Sequence, residues 1–407
     1  MEKRVKKSNE LAIQPQLEKG GGIDIHKTKM VGFIYDQKGQ KNEWQEFPTY
    51  TKDLKRLRDW LLENHIQDVL MESTGVYWIS LYNILTSSGI RVVVANPQSI
   101  KQIPKRKTDK KDAKWLCKLL INGLVRPSFI PPIEQQELRE LCRNRLFYTQ
   151  QIAKIRNKIV KILEGNNIKI RSVVSIISTK SSMEIIKKLS EGITDISELL
   201  SSCYGTVKKK AAAMADALDG TLSQHSRDLL KMLLSDIAHN TQQKNELDQR
   251  IKKIVEDRYN DTVGRLQNIS GVGEQSSQII VSEIGDNMGV FPNADHLTSW
   301  TGFAPGNNES AGKRKPVSVK KGNKYLRVAL IAVAWAAVRT KDSYWRALFE
   351  NLKKRMKSQK AIVAIARRLL KVIYKIIETK EEYIEKGLIH FFELKNKREE
   401  YLRKVMA

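Results

Sequence analysis

Gly22-Ile23-Asp24-Ile25-His26 and Lys29-Met30-Val31-Gly32-Phe33-Ile34-Tyr35-Asp36 read as two β-strands joined at Lys27-Thr28. Short apolar runs broken by a polar pair favour a hairpin, and Glu43 to Thr49 offers a third strand. The pattern then alternates. A helix over about Lys52 to Glu63 carries Leu54, Leu57, Leu61 and Leu62 on one face, and Asp68-Val69-Leu70-Met71-Glu72 is a short buried strand. Tyr77 to Ser87 is helical and Ile90 to Ala95 is a Val-rich strand. Three antiparallel strands followed by strands alternating with helices specify an α/β layer of the ribonuclease-H type. The expected fold class is α/β here and mostly α beyond it.

Lys105-Arg106-Lys107-Thr108-Asp109-Lys110-Lys111-Asp112-Ala113-Lys114 supplies the next helix. Thr108 reads as the N-cap of the apolar series Ala113, Leu116, Leu119, Leu120, so Asp109 and Asp112 share one face of the first turn. Carboxylates at that spacing can share a divalent cation, while Lys105, Arg106, Lys107, Lys110 and Lys111 can hold a polyanion against it, as a phosphodiester-cutting enzyme requires. A solvated, dipole-favoured helix start accounts for the same residues. Two further acids sit against local preference: Asp24 interrupts an apolar strand, and Glu72 closes a buried one before Ser73-Thr74-Gly75. Either alone could be an exposed strand residue. Jointly, a ribonuclease-H-like sheet would converge Asp24, Glu72, Asp109 and Asp112 at one end, where they can hold two Mg²⁺ ions roughly 4 Å apart. Without metal, four acids that close repel.

The whole chain fits this reading. Its 407 residues exceed one typical core and imply two globular units, with room for an extended element. Lys plus Arg number 72 against 45 Asp plus Glu, a net charge of +27, which points to a polyanionic partner and above all to nucleic acid. A membrane fits less well, because the longest apolar run, Val328 to Val338, is too short to span a bilayer and is flanked by Arg327 and Arg339. No secretory signal is expected at the charged start, and residues 1–18 read as a disordered basic tail. Cys117, Cys142 and Cys203 match no zinc or disulfide spacing, so a reduced, cytoplasmic protein is expected.

After Pro127, Pro131 and Pro132 the chain becomes helical. Leu138, Leu141, Tyr148, Ile152, Ile155, Ile159 and Ile162 step by three and four, broken only by Arg145. A second series, Leu230, Leu233, Ile237, Leu247, Ile251 and Ile254, has Asn240 and Lys244 as polar exceptions. The pair predicts an antiparallel coiled-coil arm or a dimer contact over 131–260, interrupted by a Ser-rich insert at 171–225. A second unit, 261–385, opens with Leu266 to Gly273 and then Ser276 to Ile284, like a helix-hairpin-helix. The amides of its turn, Gly271 and Gly273, could face a phosphate or simply pack. Residues 300–315 follow as a Gly- and Asn-rich loop in which Ser310 precedes Lys313, Arg314 and Lys315; Lys320, Lys321 and Arg327 add cations. Ser310 is either a turn residue or a nucleophile whose covalent step Lys313 and Arg314 would support. Residues 386–407 read as a charged helical tail.

Gly22-Ile-Asp24, Met71-Glu72-Ser-Thr-Gly75, Asn96-Pro97 and Lys107-Thr-Asp109-Lys-Lys-Asp112-Ala113 resemble the motif series of the DEDD-type insertion-sequence transposases, whose N-terminal domain is similar to the Holliday-junction resolvase RuvC. Gly271-Val-Gly273, Gly302-Phe-Ala-Pro305, Glu309-Ser310-Ala-Gly312-Lys-Arg314, Lys321-Gly322-Asn323 and Leu326-Arg327 resemble the same family's C-terminal domain. The resemblance spans about residues 20–380. It implies a RuvC-like domain at 19–130 with Mg²⁺ on Asp24, Glu72, Asp109 and Asp112, for which Mn²⁺ could substitute. It also implies Ser310 as covalent nucleophile, although Ser-Ala-Gly stands where many members have Ser-Gly and Ser318 is nearby. Partners implied are donor and target double-stranded DNA, a structured noncoding guide RNA, and dimers assembling into tetramers. Two alternatives use the same residues: a metal-dependent junction nuclease without a covalent step, and a non-enzymatic nucleic-acid scaffold.

Overall fold

Strands β1 (Lys19–Ile25), β2 (Lys29–Asp36) and β3 (Lys41–Pro48) form an antiparallel meander, after which helix α1 (Thr51–Glu63) leads to β4 (Asp68–Glu72), α2 (Trp78–Ser87) and β5 (Arg91–Ala95). The sheet order is β3-β2-β1-β4-β5, with β4 and β5 parallel to β1. This mixed five-stranded sheet with flanking helices is compatible with a ribonuclease-H-like fold. The computed structural model describes residues 17–37, 41–73, 75–100, 108–125, 127–304, 309–310, 313–314 and 322–406. The chain divides into two compact units, Met1–Ile130 and Pro131–Ala407.

In the first unit the pleat sorts the strands' side chains between two layers. Ile23, Ile25, Met30, Ile34, Val69 and Met71 point to one face and pack under α1 and α2 with Leu57, Trp60, Leu61, Leu81 and Leu85. Val31 and Phe33 point to the other face, against Ala113 and Cys117 of a helix that follows the short α3 (Pro97–Ile100), namely α4 (Asp109–Ile121). Gly22 fixes how closely α4 lies on β1: a Cβ there would stand 2.1 Å from the Ala113 carbonyl oxygen and 2.4 Å from the Cys117 nitrogen. The glycine is therefore a requirement of packing, in an extended strand rather than a turn. Leu17, assigned to the disordered tail, donates its amide to Ile121 and extends the structured part of β1; residues 1–16 lie outside the described residues.

In the second unit the two predicted apolar series become α5 (Ile133–Gly165) and, after α6 (Ile170–Val173), α7 (Lys180–Glu191), α8 (Ile196–Leu200), α9 (Gly205–Lys208) and α10 (Ala211–Leu218), the long α11 (Gln224–Arg258). Helices α5 and α11 run antiparallel, as pairings at both ends and the middle require: Glu134 with Arg258 (3.6 Å), Arg145 with Asp248 (3.1 Å), Asn166 with Ser226 (3.2 Å). The Ser-rich insert shares one core with their distal ends, in which Ile185, Ile186, Leu199 and Met214 pack against Ile159, Leu163, Leu230 and Leu233. Serine and threonine there serve as caps: Thr179 accepts from the Ser182 amide and Ser223 from the Ser226 amide.

Next come α12 (Asn260–Gln267), α13 (Glu274–Ile284), α14 (Ala294–Trp300), the hairpin β6 (Glu309–Ser310) and β7 (Lys313–Arg314), α15 (Lys324–Ala337), α16 (Tyr344–Lys353), α17 (Ser358–Thr379) and α18 (Gly387–Met406). A buried polar knot ties α5 to this bundle. Glu283, 1% exposed, accepts from Arg143 at 2.8 and 2.9 Å and from Asn323 at 2.6 Å, with Arg139 3.3 Å away. Arg145, the break in the apolar series, is buried and bonds Asp248 and the Gln278 side chain. Among the described residues no helix is long and apolar enough to cross a membrane.

Candidate active site

The site forms at the carboxyl end of β1. Asp24 lies two residues beyond Gly22 on the same strand, and so on the α4 side. Glu72 ends β4 one position past the Ile23–Met71 pair, which puts it on that side too. Thr108 caps α4 by accepting from the Lys111 amide at 3.4 Å, and Trp44 donates its indole N–H to the Lys110 carbonyl at 3.1 Å, fixing the first turn to β3. With α4 seated on Gly22, its first turn meets the end of β1.

Asp24, His26 and Asp109 form a group whose ligand atoms all lie within 4.8 Å of one another; Glu72 and Asp112 are outside it. His26 Nε2 stands 3.2 Å from Asp24 Oδ2 and 3.5 Å from Asp109 Oδ1, and Lys29 Nζ is 2.6 Å from Asp109 Oδ2. Burial pushes the Asp24 carboxyl above its ordinary range; His26 pulls the other way, and the negative charges of Asp112 and Asp109 push with burial. The hydrogen bond from Lys29 holds Asp109 below its ordinary range. Two carboxylates and an imidazole suit a small divalent cation. His26 and Lys29 escaped the sequence reading. The signal available was spacing: His26 is two positions from Asp24, just past the end of β1, and Lys29 is across the turn.

Other predicted residues fare unequally. Lys110 and Lys111 are exposed on the first turn of α4, while Lys105, Arg106 and Lys107 lie outside the described residues. The backbone of Ser310 pairs with that of Lys313, and Glu309 with Arg314, in the two-stranded hairpin. Lys315, Ser318, Lys320 and Lys321 lie outside the described residues. The loop closes at its neck, where a Cβ on Gly322 would be 2.3 Å from the Thr301 carbonyl carbon. Arg327, expected to reach phosphate, donates to the Gly302 carbonyl at 3.1 Å and lies over the Phe303 ring. In the turn before α13, Gly271 (φ 89°) presses on α15, its Cβ position 2.5 Å from the Ala337 nitrogen, and the Gly273 amide is taken by Ser276. These glycines serve packing and capping here.

Two family profiles match the chain: that of the DEDD transposases of IS110 over residues 21–168, and that of the transposase IS116/IS110/IS902 family over residues 263–350. Together they take in more than half of it. The chain belongs to the IS110 family of transposases. It is thus an enzyme that acts on DNA; the first profile spans Asp24, Glu72, Asp109 and Asp112, and the second spans Ser310. No curated protein matches the transposase significantly.

Proposed function

We propose that this transposase cuts and rejoins DNA at the ends of an insertion sequence by serine-mediated strand transfer, under the direction of a structured noncoding RNA. The observation that carries the reading is the meeting of Asp24 and Asp109, 85 positions apart in sequence, around His26 and Lys29. Asp24, Glu72, Asp109 and Asp112 would hold Mg²⁺, or Mn²⁺ in its place. The cation would supply charge neutralisation at the scissile phosphate. Asp109 and Asp24 would orient the strand and His26 would keep the two carboxylates in register. Lys110 and Lys111, with Lys105, Arg106 and Lys107, would hold flanking phosphates.

Ser310 would be the nucleophile. Its Oγ–phosphorus bond forms as the phosphorus–oxygen bond to the neighbouring sugar breaks, and the serine's proton ends on the released sugar hydroxyl. The phosphoserine ester keeps the energy of the cut bond for rejoining to the target. Lys313 and Arg314 would steady the charge that develops on the phosphate. The α5–α11 arm, read as a coiled coil, would join two subunits, and dimers would assemble into tetramers on donor and target. A guide RNA together with two duplexes accounts for a net charge of +27 better than one DNA site does.

The test is recombination with donor, target and native flanking RNA by the parent, Ser310→Ala and Ser318→Ala. Ser310→Ala should give neither a covalent protein–DNA adduct nor recombinant product, and Ser318→Ala should give both. Recombination by Ser310→Ala would refute the covalent assignment.

A further inference from the structure

Helix α4 covers β1 and β2 and meets β3 through Trp44, which is still 39% exposed, while Asn42 is exposed beside the helix. Between α4 and the β2–β3 ribbon is a cleft of about 490 Å³, with Phe33 and Tyr35 in its floor and Gln37, Asn42, Lys114 and Lys118 around its rim. Among the described residues no carboxylate lines it. Lys110, Lys114 and Lys118 recur every fourth residue and so form one stripe along α4. Lys114 lies over the rings of Phe33 and Trp44, its Nζ 5.6 and 5.3 Å from their centres. The side-chain amides of Gln37 and Asn42 have no protein partner among the described residues. Aromatic floor, unengaged amides and a row of cations are what an unpaired nucleotide needs: a ring to stack on, groups to meet the base edge, and charges for its phosphates.

The cleft and the acid site lie along the same helix, α4. Asp109 begins the helix and Lys118 is nine residues on, about 14 Å along the axis at 1.5 Å per residue. The geometry points to a base-binding pocket: the cleft between α4 and the β2–β3 ribbon takes an unpaired base of the DNA strand whose backbone crosses Asp24 and Asp109. This rests on reading the acid site as the place where DNA is cut. It adds that the strand is held single-stranded there, its base stacked on Tyr35 and its phosphates spaced along the lysine stripe.

The experiment is photo-crosslinking of the full chain, in EDTA, to single-stranded DNA bearing 5-iodouracil at successive positions, with the crosslinked peptide mapped by mass spectrometry. Because no cation is present, the readout is binding alone and is independent of whether the acids cut. The expected result is a crosslink on the segment containing Tyr35, with Tyr35→Ala and Lys114→Gln each weakening single-stranded DNA binding at least about fivefold and Tyr35→Phe binding like the parent. Crosslinks confined to other segments, or unchanged affinity in both weakening variants, would overturn the pocket. Preferential crosslinking by the matching RNA oligonucleotide would overturn its assignment to the DNA strand.

Discussion

Replacing Gly22 with alanine tests whether the fold positions the acids as described. The added Cβ would stand 2.1 Å from the Ala113 carbonyl oxygen, 2.4 Å from the Cys117 nitrogen and 3.1 Å from its Cα, all backbone atoms of α4. Ordinary contact begins near 3.4 Å, so the helix must retreat by about 1.3 Å. Overpacking of this kind costs about 3 kcal/mol, or a fall of about 10 °C in the first unit's melting midpoint. The same retreat draws Asp109 from Asp24, and misplacement by about 1 Å can lower a rate about 100-fold. Calorimetry and metal-dependent DNA cleavage on the full chain measure both effects. Gly264→Ala is the control: it lies in α12 with nothing within 4 Å of its Cβ position, and alanine there should stabilise by up to about 1 kcal/mol. A Gly22→Ala protein that melts and cuts like the parent would refute the packing argument.

Further outcomes follow from the same geometry. Glu283→Gln should destabilise the second unit by about 3 kcal/mol or more, because Arg139, already held near a pKa of about 10 by burial, loses its counter-charge; denaturant unfolding measures it. Asp24→Asn should raise the melting midpoint in EDTA at neutral pH while abolishing cleavage. The Asp24 carboxyl titrates above 3.8 in the folded chain, so the stability its protonated form contributes is present below pH 3.8 and lost as pH rises through the folded value; midpoints of parent and variant should therefore converge in acid. DNA affinity should fall by roughly 10³ to 10⁵ between 50 and 200 mM salt if 6 to 10 phosphates are contacted, and a log–log slope near zero would contradict the reading of the charge.

The sheet was legible because its signals are local. Strand β4 was read to the residue, since an apolar run bounded by polar residues leaves little freedom, and Thr108 was recognisable as a cap because capping is settled within four positions. The convergence of Asp24 with Asp109 could be anticipated only through the expected sheet order. The partners of those acids were hidden: His26 and Lys29 acquire their meaning from an approach of α4 that depends on Gly22, and nothing in the sequence signals how close a helix lies. Arg145 looked like a defect in an apolar series and proved to be a buried anchor, because its partners Asp248 and Gln278 lie more than 100 residues away. The insert gave no periodic signal because its helices are short and its core is shared with the ends of α5 and α11. Arg327 could be read only as a surface cation, because its bond to the Gly302 carbonyl spans 25 residues.

The claim on which the account depends is that Asp24 and Asp109 hold one divalent cation between them. Mn²⁺ titration of the full chain, followed by electron paramagnetic resonance, tests it without DNA or RNA. The account predicts saturable binding by the parent and its loss in both Asp24→Asn and Asp109→Asn. Binding that is undiminished in the two variants would contradict it.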